Sequence, residues 1–215
     1  MFIMKWLHKI LALVLVKPFF KFFFKLRVSG VENLKDLSGP LLIITNHKFF
    51  LDSFAFGAAV PITTNIHPIR FMGETHHFNS VGLSILKSLG IVKFVYLIFG
   101  VFPAIRGEGL EKALAIPKKI LKNKGVVFLH PEGKIVHGKE IGQFKRGAPA
   151  LALATNVKIL PAALKIKIES RGRRPKYFVK FGPTFKLPQN LTPEQGAEKM
   201  RNKVAMLYSK LYSKL

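Results

Sequence analysis

Strand-length apolar runs alternate with stretches of helical periodicity along most of this chain. Residues 40–45 (Pro40-Leu41-Leu42-Ile43-Ile44-Thr45) and 125–129 (Gly125-Val126-Val127-Phe128-Leu129) are continuous apolar runs, the pattern of strands buried on both faces. Residues 28–31, 69–72, 100–105 and 159–164 read as further strands, 165–168 alternate as a half-exposed strand would, and 177–181 form a return strand after a basic turn. Helical patterns fall at 48–60, at 80–89 ahead of Gly90, at 107–122 with Pro117 kinking its second half, and at 148–155. Residues 91–99 are apolar without a decisive period. Thr192-Pro193-Glu194-Gln195 has the N-cap, Pro and Gln of a capped helix start, and that helix runs towards Leu215. Alternating strands and helices predict one α/β domain over residues 28–215, with a central, mostly parallel or mixed sheet flanked by helices.

The first 27 residues have a different pattern. They hold six basic residues and no acid, and the longest unbroken apolar run, Ile10 to Val16, is far short of a spanning helix. No small-residue cleavage site follows that run, so a secretory signal fits poorly. Lysines recur at spacing four: Lys5 and Lys9, then Lys17, Lys21 and Lys25. On a helix each set forms one stripe, with Trp, Leu, Ile, Val and Phe around the rest. Pro18 breaks or restarts the helix. The reading is a pair of short amphipathic helices lying in a membrane interface, with Trp6, Lys17, Phe19, Phe20, Lys21, Phe22, Phe23, Phe24 and Lys25 as contacts. The alternative is that this element packs on the rest of the protein.

Composition sharpens the choice of partner. Across 215 residues, 35 Lys and Arg stand against 11 Asp and Glu, a net charge of +24, while 49% of residues are hydrophobic. Such a chain is destined for nucleic acid or for an anionic membrane surface. The Arg171-Gly172-Arg173-Arg174 cluster favours the first; the Phe-rich N-terminus and the absence of a nucleic-acid-binding motif favour the second. The chain has no cysteine, which excludes thiol nucleophiles, disulfides and Cys-ligated zinc. His67, His76, His77 and His137 lack metal-ligand spacing, and neither a Gly-x-Ser-x-Gly elbow nor a Walker loop occurs.

Two polar sequences sit where apolar strands end, the place where α/β sheets gather functional groups. In Asn46-His47-Lys48-Phe49-Phe50-Leu51-Asp52, a loop His is followed five residues later by a carboxylate on the next helix. That carboxylate can hold one imidazole nitrogen and leave the other to take a proton from an alcohol. The plainer reading is a helix N-cap beside a solvated histidine. In His130-Pro131-Glu132-Gly133-Lys134, a carboxylate sits on a tight turn with room for a ligand, or on an ordinary surface turn.

Taken in order, Asn46-His47-x4-Asp52, Phe102-Pro103-Ala104-Ile105-Arg106, His130-Pro131-Glu132-Gly133 and Ile159-Leu160-Pro161-Ala162 resemble the four blocks of the glycerophospholipid acyltransferases, the family of lysophosphatidic acid (1-acyl-glycerol-3-phosphate) acyltransferases. Phe144-Lys145-Arg146-Gly147-Ala148 also resembles that family, and the likeness covers about residues 28–185. The resemblance implies transfer of a fatty acyl group from acyl-CoA or acyl-carrier protein, as co-substrate, to a lysophospholipid hydroxyl, without metal or covalent intermediate. It implies His47 as general base, Asp52 as its orienting partner, Arg106 and Lys145 on the acceptor phosphate, Glu132 and Gly133 at the glycerol, and Pro161 shaping the pocket. Asn46 and Lys134 complete the expected substrate-binding set. The expected location is monotopic, on the cytoplasmic face of the inner or plasma membrane. The chain departs from the family at Lys134-Ile135, where Thr-Arg or Thr-Lys is usual, at His130 in place of an aromatic residue, and at Gly73 in place of a lysine. The departures leave His47 and Asp52 in place and widen the implied acceptor to other lysophospholipids or lipid alcohols.

Overall fold

The computed structural model describes residues 2–73, 96, 98–105, 107–168 and 173–211, with the side chains of residues 2–5 left aside. Seven strands form one sheet: β1 (Lys25–Ser29), β2 (Leu41–Thr45), β3 (Ile69–Gly73), β4 (Val101–Pro103), β5 (Val126–Leu129), β6 (Lys158–Lys167) and β7 (Lys176–Phe181). Their order is β1-β7-β6-β2-β5-β3-β4. Every neighbouring pair is parallel except the antiparallel β6–β7, so the sheet is mixed, as the sequence pattern predicts. β2 lies between β5 and β6 with all five residues buried, which is why its sequence is apolar without alternation.

The two faces of the sheet carry separate cores. Leu42 and Ile44 join Val127, Leu151 and Met200 under α4 (Gly109–Lys122), α5 (Gly147–Thr155) and α6 (Pro193–Ser209). Leu41 and Ile43, one residue out of step, join Phe56, Phe128 and Tyr177 under α3 (Asp52–Ala59) on the other face. Thr192 caps α6 as expected, its side chain accepting from the Gln195 N–H while the Gln195 side chain accepts from the Thr192 N–H. Pro117 is buried inside α4, which runs on past it to Lys122 because Leu114, Ile120 and Leu121 on either side hold both halves against the same core. One expectation is corrected. Residues 158–167 form one strand in which Lys165 is buried, where alternation predicted a half-exposed lysine. The helix expected at 80–89 lies outside the described residues, as does most of 91–99.

The N-terminal element is α1 (Phe2–Leu11), a π turn (Ala12–Val16) and α2 (Lys17–Phe23), which follow one another without a gap; Val16 and Lys17 keep right-handed helical torsions, and Pro18 lies just past the π turn in the first turn of α2. Trp6, Leu13, Val14, Phe19, Phe22 and Phe23 are exposed. Phe20 and Phe24, expected among the lipid contacts, instead turn inward, each with its ring 5.8 Å from that of Tyr177. Lys17 also turns inward, donating to the carbonyls of Ala58 (2.8 Å) and Val60 (3.0 Å) at the C-terminal end of α3. Lys25 opens β1, so the sheet already begins inside the segment 1–27. No helix among the described residues is long and apolar enough to cross a membrane.

Candidate functional site

The carboxyl ends of β2 and β5 meet at a loop, residues 46–51, and at the turn that follows Leu129. His47 lies in the loop and Asp52 begins α3. The Asp52 side chain reaches back over its own helix start. Its Oδ2 accepts the backbone N–H groups of Lys48 and Phe49 (2.8 Å for Phe49) and lies 3.0 Å from His47 Nδ1. These backbone bonds draw residues 48–51 into a turn, which is why the helix expected over 48–60 starts only at Asp52. On the other side, Asp52 Oδ1 accepts from the hydroxyl of Tyr177 on β7. A carboxylate only accepts, so His47 Nδ1 carries a proton, and in the neutral ring the lone pair lies on Nε2. The Asp52 side chain is fully buried, whereas that of His47 is 20% exposed: the anchor is inside and the imidazole faces out.

Glu132 fastens the loop from the opposite side. Its carboxylate accepts from the N–H of His47 and that of Gly142, both at 2.6 Å, and burial pushes its pKa up against those bonds. Lys48 donates to the carbonyls of Gly138 (3.3 Å) and Glu140, tying the 133–142 loop to the residue next to His47. Asn46 is buried, and both ends of its amide are taken up by Leu164, at 2.8 Å each. Pro161 lies buried within β6. Gly133 has φ +65, and a Cβ there would stand 3.0 Å from Lys145 Nζ, so the bare backbone lets the exposed Lys145 lie across this turn. Lys134 is exposed beside it, and Arg106 lies outside the described residues.

Three residues at this site carry no mark in the motifs, Tyr177, Thr45 and Ser53, and a fourth, His130, opens the third block without a role assigned to it. The His130 ring stacks on that of His47, with centroids 3.9 Å apart and planes 7° from parallel. Its Nδ1 lies 3.0 Å from the Asn46 carbonyl and 2.9 Å from Thr45 Oγ1, and its Nε2 lies 3.1 Å from Ser53 Oγ. A carbonyl only accepts, so Nδ1 is the protonated nitrogen and the Ser53 hydroxyl donates to Nε2. Burial first, then His47 beside it, hold the His130 pKa down to about 3, and the ring is neutral. Tyr177 has one sequence signal: on the inward side of β7 (Tyr177, Val179, Phe181) it alone has a polar tip, and a buried hydroxyl needs a partner. Ser53 and Phe50 also line an apolar cavity of about 250 Å³ reaching between α1, α3 and β3, past Phe54, Phe71 and Phe99.

This geometry sits within a recognisable sequence frame, since the sequence model of the Acyltransferase family matches residues 25–165. The chain belongs to the Acyltransferase family. That span holds β1 through most of β6, together with every group around His47 except Tyr177. Among relatives, the chain is 27% identical over 145 residues to a chloroplastic 1-acyl-sn-glycerol-3-phosphate acyltransferase of Arabidopsis thaliana, covering 66% of this chain and 36% of that protein. It is 26% identical over 152 residues to a probable 1-acyl-sn-glycerol-3-phosphate acyltransferase of Mycoplasma genitalium, covering 69% of this chain and 53% of that one. The chain thus spans about a third to a half of the relatives it matches. In fold it is similar to the 1-acyl-sn-glycerophosphate acyltransferase PlsC of Thermotoga maritima, with a TM-score of 0.69 at 18% identity over 98% of this chain and 80% of that one.

Proposed function

We propose that the protein transfers a fatty acyl group from a thioester, acyl-CoA or acyl-carrier protein, to the free hydroxyl of a lysophospholipid, with 1-acyl-sn-glycerol-3-phosphate as the acceptor. The observation that carries this reading is an imidazole whose Nδ1 is held by a buried carboxylate while its ring reaches solvent, in a chain of the Acyltransferase family. His47 Nε2 takes the hydroxyl proton as the oxygen attacks the thioester carbonyl. The new C–O bond gives a tetrahedral intermediate. Its collapse breaks the C–S bond, and the sulfur leaves with the proton returned from Nε2, giving an ester and a free thiol. Asp52 offsets the charge that His47 carries between those steps.

The acceptor's phosphate would meet Lys145 and Lys134 at the Gly133 turn, with Arg106 joining them from the second block. The apolar cavity beside Ser53 offers an acyl chain an environment like the one it leaves in lipid, at about 0.8 kcal/mol per buried CH₂. The outward Trp6, Phe19, Phe22 and Phe23, with Lys21, would seat the N-terminal helices in the interface of an anionic membrane, where the acceptor resides.

The test is transfer by the purified chain in vesicles, with labelled acyl donors and a panel of lysolipids. His47→Ala is expected to abolish transfer while the far-UV circular dichroism stays unchanged. Turnover near that of the parent protein would overturn the mechanism.

A further inference from the structure

We propose that His130 is a positioning residue that sets the plane of the His47 ring by stacking face to face against it. The inference rests on His47 being the base. The bond from Nδ1 to Asp52 fixes one point of the His47 ring but lets the ring roll about that N···O line, since the outer torsion of a histidine has broad wells. A roll swings Nε2 away from where the hydroxyl must lie. The His130 face, 3.9 Å away and 7° from parallel, blocks it.

His130 is itself held at every edge. Asn46 O and Thr45 Oγ1 hold Nδ1 from the end of β2, Ser53 holds Nε2 from α3, and the Phe128 ring meets it edge-on at 4.9 Å and 89°. Both ring nitrogens are thus occupied by neutral partners. The charged or titratable groups around the stack are His47 itself, Asp52 from α3, and Lys48 and Glu132 from the two loops. When Nε2 takes its proton, the imidazolium therefore lies against a neutral π face and not against a second cation.

A stack and a hydrogen-bond hub make opposite forecasts for one substitution. His130→Phe keeps a flat ring and loses every hydrogen bond; His130→Ala loses both. With the full chain in vesicles, His130→Ala is expected to lower kcat about 10- to 100-fold, the loss typical of a misplaced catalytic group, with KM for both substrates within twofold. His130→Phe is expected to restore kcat to within about threefold of the parent protein, although urea unfolding finds it less stable.

A Phe variant as slow as the Ala variant, an Ala variant with normal kcat, or a raised KM at unchanged kcat would each overturn the role. Should His130→Ala fail to fold, His130→Phe decides alone: kcat below a tenth of the parent's refutes the stack. An active His47→Ala variant would instead remove the base on which the inference stands.

Discussion

The sharpest consequence of the site's architecture concerns Asn46. It follows β2 immediately, where the pairing of β2 with β6 ends at Thr45 and Ala162, and its side-chain amide continues that ladder by exchanging two hydrogen bonds with Leu164. Replacement by Ala removes both bonds and orphans one N–H and one C=O in a fully buried place. Two lost bonds at about 1 kcal/mol each, with part of the roughly 1–3 kcal/mol desolvation penalty of each orphaned group, give a loss of about 3–4 kcal/mol. At a urea slope of about 3 kcal/mol/M for a chain of this size, the unfolding midpoint falls by about 1 M. The assay is urea unfolding in mild detergent micelles, followed by far-UV circular dichroism. In parallel, KM for the lysolipid is measured in folded protein below the transition and is expected within twofold of the parent value. A midpoint shift below about 0.3 M together with a tenfold rise in KM would refute the reasoning, because Asn46 would then be spending its amide on the substrate.

Tyr177→Phe keeps the aromatic packing on Phe20 and Phe24 but takes the donor from Asp52 Oδ1; a drop in kcat of about tenfold with unchanged KM is expected, and unaltered kcat would show that the other donors to Asp52 suffice. Gly133→Ala forces a side chain into positive φ against Lys145, so KM for the phosphate-bearing acceptor should rise more than KM for the thioester; equal changes would detach this turn from acceptor binding. Acid should destabilise the fold early. Burial lowers His8 and His67 to about 4 and His130 to about 3, below the unfolded value of 6.5. Between pH 4 and 6.5 the unfolded chain therefore binds more protons, and stability rises with pH across that window and is lost as pH falls through it. Glu132, raised by burial, works in the opposite sense, one group against three. The urea midpoint measured from pH 7.5 to 4.5 checks this, and a flat profile would contradict the burial of those rings.

Much of this arrangement is legible in the chain because its information is local. Unbroken apolar runs mark β2 and β5 as central strands, and the five-residue step from His47 to Asp52 places a carboxylate within reach of the ring across one turn. What is not legible is set by pairing over long separations. Nothing near Tyr177 tells that its hydroxyl meets Asp52; that follows only once β7 lies against β6 and α3 crosses above. Phe19 to Phe24 looks uniformly lipid-seeking as a sequence, yet Phe20 and Phe24 fall on the inner side because Tyr177 and α3 wait there. Glu132 reads as a group for a ligand, and its two oxygens are instead engaged by the backbone N–H groups of His47 and Gly142 from loops far apart in the chain.

The pairing of β1 with β7 bears on how the polypeptide is made. Lys25 finds its ladder partner Lys176 only after the whole of the intervening chain has been synthesised. Until then the preceding helices lack both the strand that anchors them and the Tyr177 ring that shields Phe20 and Phe24. Until that pairing forms, Phe20 and Phe24 are as uncovered as the outward Phe19, Phe22 and Phe23. Closing the sheet is therefore also the step that splits this run of phenylalanines into an inner pair and an outer set.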